Sequence, residues 1–586
     1  MAPEIEEWKD ECYGEELRKK LLEFAEAGWD SIPDDEREKW FSLFKHWGVF
    51  HQRDGQESYF MMRLQNAGGV LRPGQLRAIG EVARDYATGP AENPEFGNGF
   101  IDLTTRQSVQ LHWIKLEDVP AIWERLESVG VSSRSSGGDS MRNMAGCPVA
   151  GRDEQEFIDS RDLLERLNTA LREDDALADL PRKFNVSVTG CREGCAQDSI
   201  NDIGLEPAEK SVGGEPTRGY NVRIGGGLGG RQPREARPLD VFVTEEEAYP
   251  VVRGFVELYQ EHGNRENRQK SRSRFFVDDW GVEEIRATLQ KEYVDSELRT
   301  AGEDLREEYS YNAGTCRGGD HVGVHRQRNG EYYVGLSVPV GRLRAEEAIA
   351  IADCAEAYGS GEVRLSRRQN PLIMDVPEGD LDALLSEPVL DTHSPEPHPF
   401  QRGSIACTGT EFCPLALTET KARLARTIRW LRDNCELPDD VEDVHIHYSG
   451  CTADCGQALT ADIGLQGMRA RKNGEMVEAL DIGVGGGMGE NPSFIDWIHQ
   501  RVPADEAPTV VKKLVEGYAA HREEGQSFRD WVGETGAETL VELAEPEESS
   551  YEDPWMYDAK GSWYPFDDGE SPAPTTVDGT PLSADD

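Results

Sequence analysis

The sequence predicts an α+β fold made of α/β units, duplicated internally so that two similar halves form one pseudo-two-fold body. Three pairs of cysteines share a spacing of 260 positions: Cys147 and Cys407, Cys191 and Cys451, Cys195 and Cys455. The glycine runs IGGGLG, from Ile224, and VGGGMG, from Val484, keep the same spacing. Two chemically unusual segments therefore recur in one register, which indicates that the halves derive from one ancestral unit.

Each half is predicted to contain a small strand–helix–strand unit followed by a larger α/β unit. In the first half the small unit comprises strand Tyr59–Leu64, helix Gln75–Ala87 and the strand-like stretch LTTRQSVQLHWI from Leu103. In the second half it comprises a strand from Tyr332, helix Ala345–Tyr358 and the stretch VRLSRRQNPLIM from Val363. The predicted boundaries are 55–129 and 325–390 for the small units and 130–300 and 391–535 for the large ones.

Two further segments flank the duplicated body. Residues 1–54 are predicted to be a helical extension, with amphipathic helices at Glu16–Ala27 and Asp34–Lys45. Residues 536–586 form a tail rich in acidic residues, Pro, Ser and Thr that also carries aromatic side chains. Part of this tail is expected to pack on the body and its last dozen residues to be disordered.

Composition excludes several classes of protein. The 63 basic and 111 acidic residues give a net charge of −48, and the excess is spread along the chain, as on the solvated surface of a halophilic protein. No basic face for nucleic acid, no membrane-spanning apolar run and no signal peptide is recognisable. A cytoplasmic protein is therefore expected, and eleven cysteines in such a protein indicate metal or redox chemistry.

Four cysteines of the second half form the pattern C-x5-C…C-x3-C: Cys407, Cys413, Cys451 and Cys455. One pair follows an apolar stretch and precedes a helical one, and the other follows the alternating strand VHIHYSG. Thiolates from loops that converge in this way can hold an iron–sulfur cluster. A structural zinc site is the alternative, although structural zinc usually has C-x2–4-C pairs on both sides, and the first pair here is C-x5-C.

The motifs CTGTEFC with TETKAR, and SGCTADCGQ with ADIGLQG, resemble the siroheme and [4Fe-4S] signature of the ferredoxin-dependent nitrite and sulfite reductases. The resemblance covers residues 55–535. It implies the nitrite/sulfite reductase fold, with the small units as ferredoxin-like half-domains, and it makes the four cysteines the cluster ligands. Cys455 would also bridge the cluster to the siroheme iron. Thr452 and Ala453 depart from the family, which usually has Pro-Asn between the last two cysteines.

The resemblance also implies that the first large domain supplies the substrate and siroheme face. Arg63, Arg142, Lys183 and Asn185 would face the substrate, an oxyanion that needs fixed cations. Within LPRKFNVSV, strand alternation independently places Lys183 and Asn185 on one face and the apolar side chains on the other.

Three further residues, by family position, would hold carboxylates of the macrocycle: Arg106, Gln110 and His112. His112 could equally be a packed strand residue.

Asn185 is the residue that distinguishes the two substrates. Sulfite reductases of the family tend to carry a second lysine there, which suits the doubly charged sulfite, whereas nitrite reductases tend to carry Asn. The resemblance therefore implies six-electron reduction of nitrite to ammonium, with ferredoxin-dependent reduction of sulfite to sulfide as the alternative. A zinc-stabilised binding protein without redox activity is the alternative from another class.

The implied electron donor is reduced ferredoxin, since the glycine runs lack the features of a dinucleotide site and no NAD(P)H or flavin domain is predicted. A monomer is expected.

Two segments stay open at this stage. The first-half thiols, Cys147, Cys191 and Cys195, have Asp153 where the second half has Cys413, and we interpret them as vestigial ligands, with a second cluster as the alternative. The basic run RENRQKSRSR, from Arg265 to Arg274, is interpreted as buried or cofactor-facing, with a ferredoxin dock as the alternative.

Overall fold

The computed structural model describes residues 2–53, 56, 58–90, 92–93, 95–191, 193–230, 232–305, 320–441, 443–488, 492–547 and 551. Within these ranges, none of the helices combines the length and the apolar character that a membrane span requires. Four sheets form the framework, one for each predicted small and large unit.

The N-terminal extension is helical, as predicted, with helices at Ala2–Glu11, Gly14–Ala27 and Arg37–Phe44. The second and third correspond to the two predicted helices, and short 3₁₀ turns flank the third. Leu17, Leu21 and Phe44 are buried in the same hydrophobic core as the two small units. The extension is therefore part of the body rather than an appendage.

The two small units exchange strands. The first sheet runs Val49–His51, Tyr59–Arg63, Val109–Lys115, Phe100–Leu103, Arg342–Arg344. The other sheet runs Gly323–Arg326, Tyr332–Gly335, Pro371–Val376, Val363–Leu365, Val70–Leu71. Each sheet thus ends in a strand from the opposite half of the chain, which ties the halves together reciprocally.

Each exchanged strand leads into the main helix of its own unit, and these two helices pack against each other. They span Pro73–Tyr86 and Ala345–Tyr358. The packing is close at Gly80, where a Cβ atom would lie 2.7 Å from Cγ1 of Ile349. Three shorter helices complete the small units: Val119–Ser128, Leu381–Leu385 and Pro388–Thr392.

The stretches from Leu103 and Val363, predicted only as strand-like, are turns with flanking strands. The first connects Phe100–Leu103 to Val109–Lys115, and the second connects Val363–Leu365 to Pro371–Val376. Gln107 and Gln369 occupy the same place in the two turns, with φ of 56° and 61°. The turns carry arginines toward the interface of the halves, which the sequence pattern did not indicate.

The large units share one topology of five consecutive strands. The first three strands are parallel, the fourth forms an antiparallel hairpin with the third, and the fifth is antiparallel to the fourth. The first contains strands Ala145–Gly146, Val186–Val188, Ile203–Val212, Glu215–Ile224 and Arg237–Val243, with Glu303–Asp304 at the side. The second contains Ser404–Ala406, Ile446–Ser449, Ile463–Lys472, Glu475–Val484 and Asp496–Pro503.

Helices cover these sheets in the same order in both halves. In the first large unit they are Arg161–Arg172, Glu245–His262, Ser273–Trp280 and Val282–Thr288. In the second they are Pro399–Arg402, Lys421–Asn434, Ala507–His521, Phe528–Thr535 and Ala537–Leu543. The last helix lies inside the predicted acidic tail, yet its Leu540 is fully buried in the core of the unit. The packed part of the chain therefore extends beyond residue 536.

Tyr551 is also buried and packs edge-on against Trp430. The prediction of disorder for the last dozen residues lies outside the described residues.

A pair of equivalent residues marks the contact between the halves. Gln197 and Gln457, which are 260 positions apart, exchange amide hydrogen bonds of 3.1 and 2.6 Å. Both are buried and adopt the left-handed conformation, with φ of 53° and 59°. Residues related by a two-fold axis contact each other only near that axis, so the pseudo-symmetry axis passes close to these amides.

Candidate active site

One cavity of about 1060 Å³ lies between the halves and collects every residue that the sequence singled out for catalysis, cofactor binding and cluster ligation. These residues are Arg63, Arg106, Gln110, His112, Arg142, Lys183, Asn185, Cys407, Cys413, Cys451 and Cys455. Ligand pockets are usually about 300–1,000 Å³, so the cavity suits a large ligand.

The charge of the cavity wall is opposite to that of the chain. Its lining contains eleven lysines and arginines but four aspartates and glutamates, in a protein of net charge −48. Some of these cations pair with carboxylates, but Arg63, Arg106 and Arg142 donate to carbonyl and amide oxygens, and cations without matching carboxylates are costly to bury unless an anion accompanies them. The wall is therefore built for a ligand with several negative charges.

Parallel strand ends position the four thiols. Cys407 directly follows strand Ser404–Ala406, and Cys451 and Cys455 follow its neighbour Ile446–Ser449. Since the carboxyl ends of parallel strands meet at one edge of a sheet, these loops converge. Cys455 is exposed to the cavity, while the other three thiols are partly buried.

Backbone and carboxylate contacts hold the thiol loops. The amide of Gly450 donates to Sγ of Cys407 at 3.1 Å, a contact that favours the thiolate. Buried Asp454 accepts from the hydroxyl of Ser449 and the amide of Ala458, both at 2.8 Å, and so fixes the turn between Cys451 and Cys455. Burial raises the pKa of Cys451 to about 11. A bound cation is needed to keep such buried thiols ionised.

The opposite wall comes from the first large unit. Lys183 and Asn185 both line the cavity, whereas Phe184 and Val186 are fully buried in the core behind them. The predicted alternation of faces is therefore confirmed. The backbone amide of Arg142 donates to the carbonyl oxygen of Phe184 at 2.8 Å, and this contact brings Arg142 to the same wall.

Two guanidinium groups on this wall share one anchor. The carbonyl oxygen of Ser136 accepts from Arg142 at 2.5 Å and from Arg63 at 3.2 Å. With its amide oxygen turned toward Arg63, Gln110 accepts from Nε at 3.0 Å and Nη2 at 2.7 Å, and its nitrogen donates to Thr408. Gln110 therefore positions Arg63, and it stays a prediction that it also contacts the macrocycle.

Burial destabilises the charged forms of Arg142 and Lys183 on this wall. Burial lowers the pKa of Arg142 well below its ordinary value, and neighbouring Arg63 adds to the effect. Burial likewise lowers the pKa of Lys183 well below its ordinary value, and Arg272 lowers it further while Cys455 opposes the change. Such groups gain most when an anion enters, because the anion restores the stability of their charged forms.

Arg106 lies in the turn before strand Val109–Lys115. It donates to Asn201 at 3.1 Å and to the carbonyl oxygen of Asn143 at 3.0 Å, while its Nε is buried without a partner. Burial lowers its pKa to about 10. Its role in holding a cofactor carboxylate stays a prediction, and its position in the lining is compatible with it.

His112 has features of both sequence interpretations. Its Nε2 lies 3.0 Å from Asp102, which pairs with Arg342, and its ring stacks on Phe412 at 4.0 Å. Its Nδ1 has no hydrogen-bond partner. One side of the ring is therefore packed in a buried network, and the other side keeps a nitrogen free for a ligand.

Arginines of the basic run 265–274 form ion pairs, and two of them line the cavity. Arg268 pairs with buried Asp139, and Arg272 pairs with buried Asp202, and both arginines line the cavity. Arg265 pairs with Asp179. This arrangement agrees with the buried or cofactor-facing interpretation for these arginines, while Lys270 is exposed.

Sequence reasoning missed several lining residues. They are Lys9 and Lys45 from the N-terminal extension, Asn143, Arg182, Arg367, Lys421 and Gln457. Lys9 and Lys45 occur in helical segments rich in charge, where a lysine is normally solvated, so no local signal separated them from the rest. The glycine run of the first half also reaches the site, because a Cβ atom on Gly229 would lie 2.7 Å from the carbonyl oxygen of Ala453.

The residues present fit the two cofactors implied by the sequence. Besides the four thiols, buried polar atoms without a partner lie in the wall: Nε of Arg106, Arg142 and Arg272, and Oδ1 of Asn185. Cationic donors of this kind suit a macrocycle with many carboxylates, and thiolates suit a [4Fe-4S] cluster.

Comparisons with known proteins agree with this site. The model of the nitrite and sulphite reductase 4Fe-4S domain matches residues 137–298 and 399–551. The model of the nitrite/sulfite reductase ferredoxin-like half domain matches residues 51–129 and 325–389. Both models match twice, as expected for a duplicated chain.

Relatives extend over nearly the whole length. The chain is 67% identical to an assimilatory ferredoxin-dependent nitrite reductase of Haloferax mediterranei, over 98% of this chain and 99% of that protein. It is 35% identical to a ferredoxin–nitrite reductase of Synechococcus elongatus, over 87% of this chain and 95% of that protein. The solved structure of the Mycobacterium tuberculosis NirA protein superposes with a TM-score of 0.81 at 28% identity, covering 91% and 97% of the two chains.

The duplicated fold, the four thiols beside a cationic cavity and these matches lead to one assignment: the chain belongs to the nitrite and sulphite reductase family.

Proposed function

We propose that this chain is an assimilatory, ferredoxin-dependent nitrite reductase that converts nitrite to ammonium with six electrons and eight protons. One observation carries the proposal: buried Arg142 and half-buried Arg63 and Lys183, with the neutral Asn185, line the same cavity as Cys455. An oxyanion with one charge fits a wall in which an amide stands where a further cation could have stood.

Siroheme and a [4Fe-4S] cluster, when bound, supply single-electron transfer and an iron atom at which an anion can be reduced. Cys407, Cys413, Cys451 and Cys455 would hold the cluster. Of these, Cys455 is the exposed thiol, which supports the proposal that it would link the cluster to the siroheme.

The chain's own side chains bind and orient the anion. Arg63 and Arg142 are held by the carbonyl oxygen of Ser136, so their remaining N–H groups have fixed directions before substrate arrives. Donors that need no reorganisation stabilise negative charge as it develops on oxygen. We assign these arginines to charge stabilisation.

Lys183 is the side chain best suited to deliver protons. Burial and neighbouring arginines lower the pKa of its amine, so it releases a proton more readily than an exposed lysine does. Each turnover consumes eight protons, and the amine would be recharged from water in the cavity. Asn185, whose Oδ1 has no partner, would orient the anion through its amide.

Ferredoxin is the proposed donor, as in the names of the relatives. The large negative charge of the chain would repel an acidic ferredoxin in dilute buffer, and molar salt shortens the Debye length to about 3 Å and removes most of this repulsion. We also propose that the enzyme is cytoplasmic, monomeric and adapted to high salt.

The test is an anaerobic comparison of kcat/KM for nitrite and sulfite in molar salt, with reduced ferredoxin as donor. The proposal requires a preference for nitrite of at least about a hundredfold, or about 2.7 kcal/mol of differential transition-state stabilisation. Equal or better turnover of sulfite would instead make the chain a ferredoxin-dependent sulfite reductase.

A further inference from the structure

The three thiols of the first half are collected at one point, although they are not part of the active-site cavity lining. Cys147 directly follows strand Ala145–Gly146, and Cys191 and Cys195 follow its parallel neighbour Val186–Val188. All three are buried, and Sγ of Cys191 lies 3.7 Å from Sγ of Cys195. Thiols brought together by the ends of parallel strands reproduce the arrangement of the cluster ligands in the second half.

A histidine from the other half of the chain completes this group. The ligand atoms of Cys147, Cys195 and His321 all lie within 4.8 Å of one another. His321 is buried, its Nδ1 lies 3.5 Å from the hydroxyl of Tyr333, and its Nε2 has no hydrogen-bond partner. A buried imidazole nitrogen without a partner is costly, and a metal ion would satisfy it.

Apolar side chains surround the group. Val149, Ala150, Leu372 and Met374 pack with the three cysteines in one buried cluster. These four side chains bring neither a positive charge for a thiolate nor access for water. The ligand atoms collected here are the sulfurs of Cys147 and Cys195 with a nitrogen of His321, and the sulfur of Cys191 lies beside that of Cys195.

The spacing of the ligands distinguishes a single ion from a cluster. Tetrahedral zinc with Zn–S bonds of about 2.3 Å places its sulfurs about 3.8 Å apart, close to the separation of Cys191 and Cys195. In contrast, the four second-half thiols line the wall of the large cavity. The first site has the size of one ion, and the second leaves room for a larger group.

We propose that Cys147, Cys191, Cys195 and His321 form a structural site for one zinc ion. Three thiolates and one imidazole are a common ligand set of structural zinc, and the C-x3-C spacing of Cys191 and Cys195 is typical of it. The three thiols are then converted ligands rather than vestigial ones. Zinc would fasten the first large unit to the start of the second small unit, since His321 lies just before strand Gly323–Arg326.

The experiment measures metals in the holoprotein, purified without chelators and dialysed against metal-free buffer at molar salt. Elemental analysis is expected to find about one zinc per chain in addition to iron. His321→Ala and Cys195→Ser should each lower the zinc content at least tenfold while the visible absorption of siroheme and cluster is retained. Cys354→Ser, which removes a buried cysteine of the helix Ala345–Tyr358, is the matched control and should keep its zinc.

Wild-type protein provides a second test that does not depend on the folding of variants. Protein produced in medium with cobalt in place of zinc should show thiolate-to-cobalt charge-transfer bands in a difference spectrum against the zinc form. Three results would overturn the proposal: less than a tenth of a zinc per chain with no cobalt bands, iron and sulfide beyond the amounts of one cluster and one siroheme, or a native Cys191–Cys195 disulfide detected by mass spectrometry.

Discussion

The cysteine sites of the two halves occupy equivalent places in one topology but differ in ligands and in space. In both, thiols follow the first and second of three parallel strands, and a left-handed glutamine follows the last thiol. In the second half Cys413 supplies a fourth thiol and the site opens to a cationic cavity. In the first half Asp153 takes that place, and His321 joins the thiols instead.

This difference separates the backbone features that the two halves share from the ligand side chains in which they differ. The strands, the turn and the close approach of the halves at Gln197 and Gln457 are retained, because they are needed for packing of the body. The ligands attached to this frame can change, because a few side chains decide them. One copy thus keeps the redox centre, and the other is free to take a structural role.

The largest expected effect is the loss of the redox centre in Cys455→Ser. This change removes one cluster ligand and the proposed link to siroheme, so nitrite reduction should fall below about one-thousandth of wild type, and the visible spectrum should change. Cys435→Ser, at a buried cysteine outside both sites, is the control and should retain both. A Cys455→Ser enzyme with wild-type activity would show that the ligand assignment is wrong.

The same change in the other copy sharpens the contrast. Cys195 is equivalent to Cys455 in the duplication, and Cys195→Ser should leave the cluster and siroheme spectrum in place. If Cys195→Ser removed the spectrum as fully as Cys455→Ser does, the two sites would not be functionally distinct.

The next effect concerns the cationic wall of the cavity, to which the first half contributes Lys183. Lys183→Ala should lower kcat/KM for nitrite by about a hundred- to a thousandfold, the usual loss when one charge-stabilising donor is removed. Retained cofactor absorbance and an unchanged melting temperature are the controls. A loss below fivefold would exclude Lys183 from the chemistry.

The pH dependence tests Lys183 more specifically. Its protonated form, which binds the anion and donates protons, is present below its pKa and is lost as pH rises through that pKa. Because burial lowers this pKa, the alkaline fall in kcat/KM should begin at lower pH than for an ordinary lysine. Lys183→Arg should shift the fall to higher pH, and an identical profile would assign it to another group.

Much of the site was predictable from the sequence because its signals are local. The four thiols stand in short motifs, and the alternation in LPRKFNVSV separates the cavity face of Lys183 from the core face of Phe184. Helix Ala345–Tyr358 was predicted with its observed bounds, since its alanine-rich sequence contains neither Gly nor Pro and is followed by Gly359.

The long-range features were not predictable. The exchanged strands Val70–Leu71 and Arg342–Arg344 have two and three residues, which is too short to show periodicity. Their pairing also depends on residues of the opposite half. His321 joins Cys147 and Cys195 across more than a hundred positions, and no local pattern indicates such a contact.

A smaller effect is expected at the position that separates the two substrates. Asn185→Lys adds a cation to the wall, so the preference for nitrite over sulfite should fall by about ten- to a hundredfold, mainly through improved use of the doubly charged anion. Asn185→Gln keeps the amide and is the matched neutral control. An unchanged substrate preference in Asn185→Lys would show that another position sets the selectivity.

The smallest expected effect is at the pseudo-symmetry axis. Gln197→Ala leaves the buried amide of Gln457 without the partner that now accepts at 2.6 Å and donates at 3.1 Å. An orphaned buried amide should lower the free energy of unfolding by about 1–3 kcal/mol, measured by denaturant titration at molar salt. Gln269→Ala, at an exposed position, should change it by less than about 0.5 kcal/mol.

The double variant separates the contact itself from the cost of orphaning an amide. If the two glutamines stabilise each other across the axis, Gln197→Ala and Gln457→Ala should be less destabilising together than the sum of their separate effects, because the second change removes the group that the first left unsatisfied. Strict additivity would mean that each amide is stabilised within its own half. The halves would then be joined at this point by packing alone, and the reciprocal strands would carry the connection.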